Sequence, residues 1–325
     1  MNKPEQKQVH FSLIDFDDQS YIFTFEPLLS QLINSIKKIG IVNPPILEQT
    51  SDNSYRIVTG LKRILALGQL KVDQFSAKIY QSMTPVPALD LFLINFYENI
   101  STRNLNEIEK SIILHKFIHL FQISEENVIS EFLPLLNSGA NKAVLNRYLK
   151  LVFLEDNVRI AIVEDFISVD NALALLEMSR FDRQSIFDLY QRLQLGKSNQ
   201  KELIRFLSEI AKISNRSIIQ IMEDKGIKDI LSNEKITSPR KIEHIKEVLK
   251  RMRYPSFSRS ESNFQNLKKD LKLPPNIILR PPLFFEGEKY KIEFSFKNQA
   301  EFNKLTRILA SIADQNKLAD LETLA

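Results

Sequence analysis

The chain has 325 residues, 43% hydrophobic and 26% charged, which is typical of a soluble globular protein with two or three domains. It contains no cysteine, which excludes disulfides, thiolate nucleophiles and cysteine-based zinc or iron–sulfur sites. The net charge of +4 is uneven: residues 225–291 hold 16 Lys and Arg against 8 Asp and Glu. Such a basic block favours an anionic polymer, most simply DNA, although a solvated basic linker would have the same composition.

The glycine count and the apolar pattern exclude further classes of protein. With 7 glycines, the chain has no GxGxxG or GxxxxGK[ST] phosphate loop. No apolar run is long enough to span a bilayer, and the first residues, MNKPEQKQ, lack an apolar export segment. We therefore expect a cytoplasmic protein without membrane contact, and none of these patterns predicts a zinc or haem site.

Residues 9–80 predict a small α+β unit. Alternation and β-branched residues predict strands at residues 9–16, 21–25, 41–48, 55–58 and 75–80. Because of Pro44 and Pro45, the third of these is expected to be short or to lie at the sheet edge. One helix is predicted from Pro27 to Gly40, and a second from Leu61 until near Gly68.

From Pro87 onward the pattern is almost wholly helical. Helices are predicted at residues 89–98, 105–121, 124–136, 140–153, 155–164, 170–178, 182–194, 199–213, 216–224 and 241–253. A Ser-rich hinge at residues 254–262 precedes a final α-β-β-α unit with elements at residues 263–271, 276–280, 290–296 and 299–313. This unit is small for an independent core, and its apolar helix face favours self-association.

The stretch Val58–Ala66 carries a strand end, a glycine turn and a helix start. Lys62 and Arg63 follow Gly60 directly. Free N–H groups and the positive end of the helix dipole, together with two cations, would suit a phosphate group. The alternative is a basic surface turn between two core elements.

Other candidate sites are weaker. Glu98 and Asn99 are predicted to end a helix, where a carboxylate and a carboxamide could bind Mg²⁺ and a phosphate or simply cap the helix. His115 and His119 have a spacing that two zinc ligands can share, but no third ligand lies nearby, which favours two surface histidines. No hydrolytic triad or carboxylate pair stands out.

Residues 124–153 fit a helix-turn-helix, whose second helix would enter the DNA major groove. Val144, Leu145, Tyr148 and Val152 share one face of that helix and are expected to pack inward. The candidate DNA-binding residues are Asn141, Lys142, Asn146, Arg147 and Lys150. The alternative is an ordinary solvated helix face, and the long connection at residues 132–136 could displace the recognition helix.

Taken together, these segments resemble the ParB family of chromosome- and plasmid-partitioning proteins. The likeness covers LLSQLINSIKKIGIVNPPILEQ, YRIVTGLKRILALGQL and FSAKIY within residues 28–80, and ENISTRNLNEIE at residues 98–109. It continues through ISEENVISEF, NKAVLNRYLKL and EDNVRIAIVEDFIS within residues 123–168, and ends with YKIEFSFKNQAEFNKLTRIL at residues 290–309.

The resemblance implies a fold class and a domain organisation. The fold is an α+β ParB-like N-terminal domain, an all-α helix-turn-helix middle domain and a small α-β-β-α C-terminal dimerisation unit. The domains are residues 1–100 (ParB-like), 101–225 (helix-turn-helix, DNA-binding), 226–262 (basic linker) and 263–325 (dimerisation).

The resemblance also implies a function and a location: a homodimeric, sequence-specific DNA-binding protein that is cytoplasmic and associated with the nucleoid. It would recognise a palindromic centromere-like site, close on double-stranded DNA as a clamp with CTP and Mg²⁺, and act with a ParA-type ATPase. The matching nucleotide-binding positions are Gly60, Lys62, Arg63, Ala66, Glu98 and Asn99. Glu98 is also the candidate Mg²⁺ ligand.

Departures from the family pattern keep alternatives open. Leu61 and Leu65 stand where the family has an acidic residue and an arginine, and Ser101 and Thr102 replace a Gln-Arg pair. Because a lost arginine fork weakens phosphate binding, these departures favour a non-enzymatic DNA-binding protein over a CTP hydrolase. A DNA-binding transcriptional regulator without the nucleotide switch is the main alternative, and a nucleotide-dependent nuclease or small kinase is another.

Overall fold

The computed structural model describes residues 3–50, 54–81, 86–287, 289–314 and 318. The chain divides into two compact units, Met1–Ser179 and Arg180–Ala325. Its fold is mixed α+β, with a sheet at the N-terminus followed by many helices, as the sequence predicts. Within the described ranges, no helix combines the length and the apolar character that a membrane span needs.

The N-terminal sheet has five strands in the order β1-β5-β3-β4-β2. The strands are β1 (Glu5–His10), β2 (Ile14–Asp15), β3 (Ile46–Gln49), β4 (Tyr55–Thr59) and β5 (Gln74–Tyr80). Two helices, α1 (Ser30–Ile39) and α2 (Leu61–Gln69), belong to the same domain. β3 pairs parallel with β5 and antiparallel with β4, so the sheet is mixed.

β3 is short, as predicted, and it lies inside the sheet because Pro45 precedes the strand and offers its carbonyl to the Lys78 N–H at 2.9 Å. Two other predictions for this sheet are wrong in detail. Residues 9–16 do not form one strand, since a 3-10 turn at Phe11–Leu13 separates β1 from β2. Residues 21–25 form no strand; their backbone is held by side chains instead, since Asn95 donates to the Tyr21 carbonyl at 2.7 Å. The predicted turn at residues 51–53 lies outside the described residues.

Six further helices complete the first unit: α3 (Ala88–Thr102), α4 (Glu107–His119), α5 (Glu125–Asn127), α6 (Lys142–Leu151), α7 (Asp156–Val163) and α8 (Val169–Leu176). An aromatic cluster joins them: the ring of Phe117 on α4 lies 5.2 Å from Phe92, 5.5 Å from Phe96 and 4.1 Å from Phe132. These fully or nearly buried rings fix α3, α4 and the segment after α5 as one core.

The second unit begins with five helices: α9 (Arg180–Leu193), α10 (Lys197–Ser214), α11 (Ile218–Met222), α12 (Lys225–Ser232) and α13 (Ser238–Arg253). They pack through buried aliphatic and aromatic side chains, among them Phe187, Tyr190, Leu207 and Leu249. The sequence patterns did not predict α12, whose eight residues lie within the basic block.

The last elements are α14 (Pro255–Asp270), β6 (Ile277–Arg280), β7 (Lys291–Phe294) and α15 (Gln299–Asp314). β6 and β7 pair antiparallel, and Phe264, Leu271, Leu279 and Ile312 form a small core beneath them. The predicted hinge at residues 254–262 is helical instead, since Pro255 starts α14 at a position where its missing N–H costs nothing.

Candidate functional site

A cavity of about 370 Å³ lies where the start of α2 faces the end of α3. Its polar wall includes Asn43, Thr59, Gly60, Lys62, Arg63, Asn95, Glu98, Asn99, Thr102 and Arg103. Its apolar wall includes Ile22, Leu32, Ile36, Ile41, Val42 and Leu61. A mostly preformed pocket of this size, with an apolar side and convergent polar groups, is typical of small-molecule sites.

Gly60 makes the sharp turn between β4 and α2. Its φ of 87° lies in the left-handed region, and a Cβ there would come within 2.8 Å of Cβ of Pro45 and 3.1 Å of Nε of Arg63. Only glycine, which has no Cβ, avoids both the strain of a positive φ and these close contacts. The strand therefore leads directly into the helix, and the N-terminus of α2 forms part of the cavity wall.

Three cations line the cavity: Lys62, Arg63 and Arg103. Burial lowers the pKa of Lys62 from its usual value, the positive charge of Arg103 lowers it further, and Glu109 opposes this. Glu98 is the one acidic side chain among the described lining residues. The excess of positive charge favours an anionic ligand, such as a phosphate chain.

Arg63 connects two walls of the cavity. Nη1 donates to the carbonyl of Asn43 at 2.6 Å, and Nη2 donates to Oε1 of Glu98 at 2.8 Å. The planar guanidinium suits such a fork, whereas an ammonium group could not hold both acceptors in fixed directions.

Arg103 is fixed by a buried carboxylate. Nη1 and Nη2 lie 2.6 Å and 3.0 Å from the two oxygens of Glu109, which is 1% exposed, and Nε donates to Oδ1 of Asn99 at 2.7 Å. Glu109 also closes a capping box with Asn106 at the start of α4. This network sets the position of Arg103 and the orientation of Asn99 at the cavity wall.

Two buried oxygens of the cavity wall are unsatisfied. Oγ1 of Thr59 and Oε2 of Glu98 have no hydrogen-bond partner among the described residues, and Thr59 is 1% exposed. Leaving a buried polar atom unpaired costs about 1–3 kcal/mol, so a bound ligand that supplies donors or a metal ion would recover that cost. This observation fits a nucleotide with its Mg²⁺ better than an empty structural pocket.

The described residues contain no group of three or more acidic or histidine side chains able to hold a metal ion by themselves. Mg²⁺ usually takes one or two protein carboxylates and completes its shell with phosphate oxygens and water. Glu98, with its unpaired Oε2, provides such a carboxylate. The residues present therefore fit a nucleotide-dependent Mg²⁺ site.

Most of the predicted nucleotide residues meet at this cavity. Gly60, Lys62, Arg63, Glu98 and Asn99 all line it. Ala66 does not, because it is fully buried in the core of α2. The predicted helix end at Glu98 is wrong, since α3 continues to Thr102.

Thr59, Asn43 and Asn95 were missed as lining residues. Asn95 had a usable signal, because it lies four residues before Asn99 on the same helix face and Asn99 donates to its Oδ1 at 2.8 Å. Nothing in the local pattern distinguished Asn43, which lies in the segment before β3.

The first unit also presents the predicted cationic helix, α6. Leu145, Tyr148 and Leu151 are buried, while Lys142, Asn146, Arg147 and Lys150 are exposed, so the inward and outward faces follow the helical period. Asn141 is the N-cap, and its side chain accepts from the Val144 N–H at 2.9 Å.

The segment before α6 is irregular. After α5, residues Val128–Phe132 form a π-helical turn, Pro134–Leu136 form a 3-10 turn, and Asn137 has a φ of 53°. Tyr148 anchors α6 against α4, since its hydroxyl donates to Glu107 at 2.8 Å and its carbonyl accepts from Ser111 at 2.7 Å. The exposed face of α6 is therefore held on a rigid support.

Comparison with protein families identifies the N-terminal part. Residues 8–95 match the ParB N-terminal domain family. The chain is similar to this domain family over those residues. This match confirms the family resemblance seen in the sequence. The matched range begins within β1 and includes the other four strands of the sheet, α1, α2 and the first half of α3, and therefore the glycine turn of the cavity.

The curated relatives of the chain carry two kinds of name. The chain is 27% identical over 172 residues to a nucleoid occlusion protein of Oceanobacillus iheyensis, covering 53% of this chain and 56% of the relative. It is 24% identical over 148 residues to a probable chromosome-partitioning protein ParB of Pseudomonas putida, covering 46% and 48%. The chain thus spans about half the length of the curated relatives it matches.

Solved structures also align with the chain. Caulobacter crescentus ParB, C-terminally truncated and complexed to the centromeric parS site, is 15% identical, covers 61% of this chain and 98% of its own, and gives a TM-score of 0.34. The same protein complexed with CTP-gamma-S is 19% identical, covers 54% and 93%, and gives 0.26. The parS site and the CTP analogue are ligands of the Caulobacter crescentus protein in those two structures.

Proposed function

We propose that this chain is a dimeric, sequence-specific DNA-binding protein of the ParB type whose N-terminal cavity binds CTP with Mg²⁺. In this proposal nucleotide binding controls how the dimer holds a palindromic, centromere-like duplex. A ParA-type ATPase would be its partner in DNA segregation, as its resemblance to partitioning proteins suggests.

The observation that carries the proposal is the cavity beside Gly60. It combines the N-terminus of α2, the cations Lys62 and Arg63, and the unsatisfied oxygens of Thr59 and Glu98. Phosphates would contact the cations and the helix N-terminus, while the apolar wall would cover the sugar or base. Bound Mg²⁺ would neutralise phosphate charge, and Glu98 would hold it in place.

The exposed face of α6 supports DNA binding. Arg147 and Lys150 can contact phosphates, and Asn146 can reach base edges if α6 enters the major groove. The buried side of α6 rests on α4, and α4 begins at the Arg103–Glu109 pair of the cavity. Both sites therefore belong to one compact unit.

A second candidate function is a transcriptional regulator that binds DNA without a nucleotide. Arg63 favours it, because both of its terminal nitrogens already have protein acceptors, in Asn43 and Glu98. Leu61 also favours the regulator, since it brings an apolar side chain to the cavity where the family has an acidic residue.

Dissociation from DNA separates these candidates. The full chain is bound to a surface carrying duplexes blocked at both ends, and release is followed with buffer, ATP or CTP, each with Mg²⁺. The proposal predicts that CTP alone changes the amount retained or its rate of release. Binding that is indifferent to CTP would favour the regulator, and no binding to any duplex would contradict both.

A further inference from the structure

α6 and α8 face each other through two matching rows of side chains. The row on α6 is Ala143, Asn146, Arg147 and Lys150, and the row along α8 is Asp170, Leu173, Ala174 and Glu177. Each row has the spacing i, i+3, i+4, i+7 of one helix face. Together these eight residues line a groove of about 330 Å³ beside the exposed cations of α6.

The two rows differ in charge. The α6 row carries Arg147 and Lys150, whereas the α8 row has Asp170 and Glu177 at its ends. Nη2 of Arg147 lies 3.0 Å from Oδ1 of Asp170, and that aspartate is 74% exposed. The helix that would meet DNA is therefore flanked by a helix whose acidic groups repel DNA.

A second ion pair holds the other end of α6. Nζ of Lys142 lies 2.9 Å from Oε2 of Glu125, in the first turn of α5. Two of the three cations proposed to contact DNA are thus paired with carboxylates of neighbouring helices. Both pairs are solvent-exposed, so each contributes little to the stability of the fold.

We propose that Asp170, together with Glu125, lowers the affinity of α6 for arbitrary duplex DNA and so raises the discrimination in favour of its cognate sequence. This inference rests on the DNA binding proposed above. A phosphate that approaches Arg147 must displace Asp170 and still meets its negative charge nearby. Phosphate contacts carry no sequence information, so weakening them penalises non-cognate DNA, whereas base contacts at a cognate site offset the loss.

The test measures binding of the full chain to a short random-sequence duplex by fluorescence anisotropy across a series of KCl concentrations. Asp170→Asn is expected to bind roughly two- to fivefold tighter than wild type, because one cation is released from its partner. Its affinity is also expected to fall more steeply with salt, with a slope more negative by about 0.9 for the additional phosphate contact.

Asp73→Asn is the matched control, because it removes the same charge from an exposed residue in the turn before β5. A double-mutant cycle identifies the cation: in an Arg147→Ala background the gain from Asp170→Asn should disappear. The inference is overturned if Asp170→Asn binds no more tightly than Asp73→Asn, or if the gain persists without Arg147. Failure of the proposed function is distinguishable, since neither wild type nor Asp170→Asn would then bind duplex at any salt concentration.

Discussion

Nη2 of Arg63 lies 2.8 Å from Oε1 of Glu98, while the other carboxylate oxygen of Glu98 is buried and has no partner among the described residues. Arg63 lies in the first turn of α2, and Glu98 lies near the end of α3, four residues before Thr102. The pair therefore joins two elements across the cavity. One oxygen is used for structure, and the other remains available to a ligand.

Glu98→Gln tests that division of roles. We expect nucleotide affinity in Mg²⁺ to fall by about tenfold, because a neutral amide is a poorer Mg²⁺ ligand and would turn a donor towards the ion. Titrations of the variant and wild type with CTP, with and without EDTA, measure the loss. Glu131→Gln, which removes the same charge from an exposed residue, serves as the control. Equal Mg²⁺ dependence in Glu98→Gln and wild type would remove Glu98 from the metal site.

Lys116 on α4 holds the segment that leads to the cavity. Its Nζ donates to the carbonyls of Gln19, Ser20 and Ile22, and Ile22 lines the cavity. Lys116→Met should lower the free energy of unfolding by about 2–4 kcal/mol, because three carbonyls lose their hydrogen-bond donor. Urea denaturation measures this; a loss below about 0.5 kcal/mol would show that the segment is held by other contacts.

Lys116 also predicts a pH dependence. Burial lowers its pKa from 10.5 to about 8. Below pH 8 the folded and unfolded chains both carry the proton, and folding bears the full cost of burying the charge. Between about pH 8 and 10.5 the folded chain releases the proton first, so the free energy of unfolding rises with pH. The wild type should gain stability from pH 7.5 to pH 9.5 relative to Lys116→Met; parallel pH profiles would contradict the assignment.

Arg147→Ala and Lys150→Ala test the DNA-binding face of α6. Each should weaken duplex binding and make the salt slope less steep by about 0.9, the value for one phosphate contact. Lys78→Ala, at an exposed position on β5, is the control for loss of one positive charge. Gel-shift titration at several salt concentrations gives both quantities. If the α6 variants match Lys78→Ala, α6 is not the DNA-binding helix.

The C-terminal elements predict self-association. Phe296 is 51% exposed, and Ile292 on β7 is 39% exposed, although Ile292 pairs with the buried Leu279 of β6. Apolar side chains that continue a core face into solvent favour a second copy as their cover. Phe296→Glu should weaken the dimer at least tenfold in sedimentation equilibrium, whereas Phe181→Glu, at a phenylalanine of α9 that is 78% exposed, should not. Dimers that tolerate Phe296→Glu would move the interface elsewhere.

Local sequence predicted the strand-turn-helix at the cavity because its determinants are adjacent: an apolar strand, Gly60 and then an amphipathic helix. The same holds for the two faces of α6, whose burial follows the helical period of Leu145 and Tyr148. A short, regular element with a capping residue leaves few alternatives for the backbone.

Other parts depended on distant partners. Residues Tyr21–Phe23 have the β-branched and aromatic character of a strand. Their carbonyls instead accept hydrogen bonds from side chains of α3 and α4. Ala66 matches a nucleotide box in the linear sequence, but the rotation of α2 turns it into the core. Thr59 could not be singled out, because its unsatisfied oxygen is a property of three-dimensional burial.

Calorimetric titration of the full chain with CTP and Mg²⁺ tests the central claim most directly. The account predicts one saturable site per chain, and at least a tenfold loss of affinity in Arg63→Lys, which keeps the charge but loses the fork between Asn43 and Glu98. No saturable heat from a folded, DNA-competent wild-type protein, or equal affinity in Arg63→Lys, would contradict it.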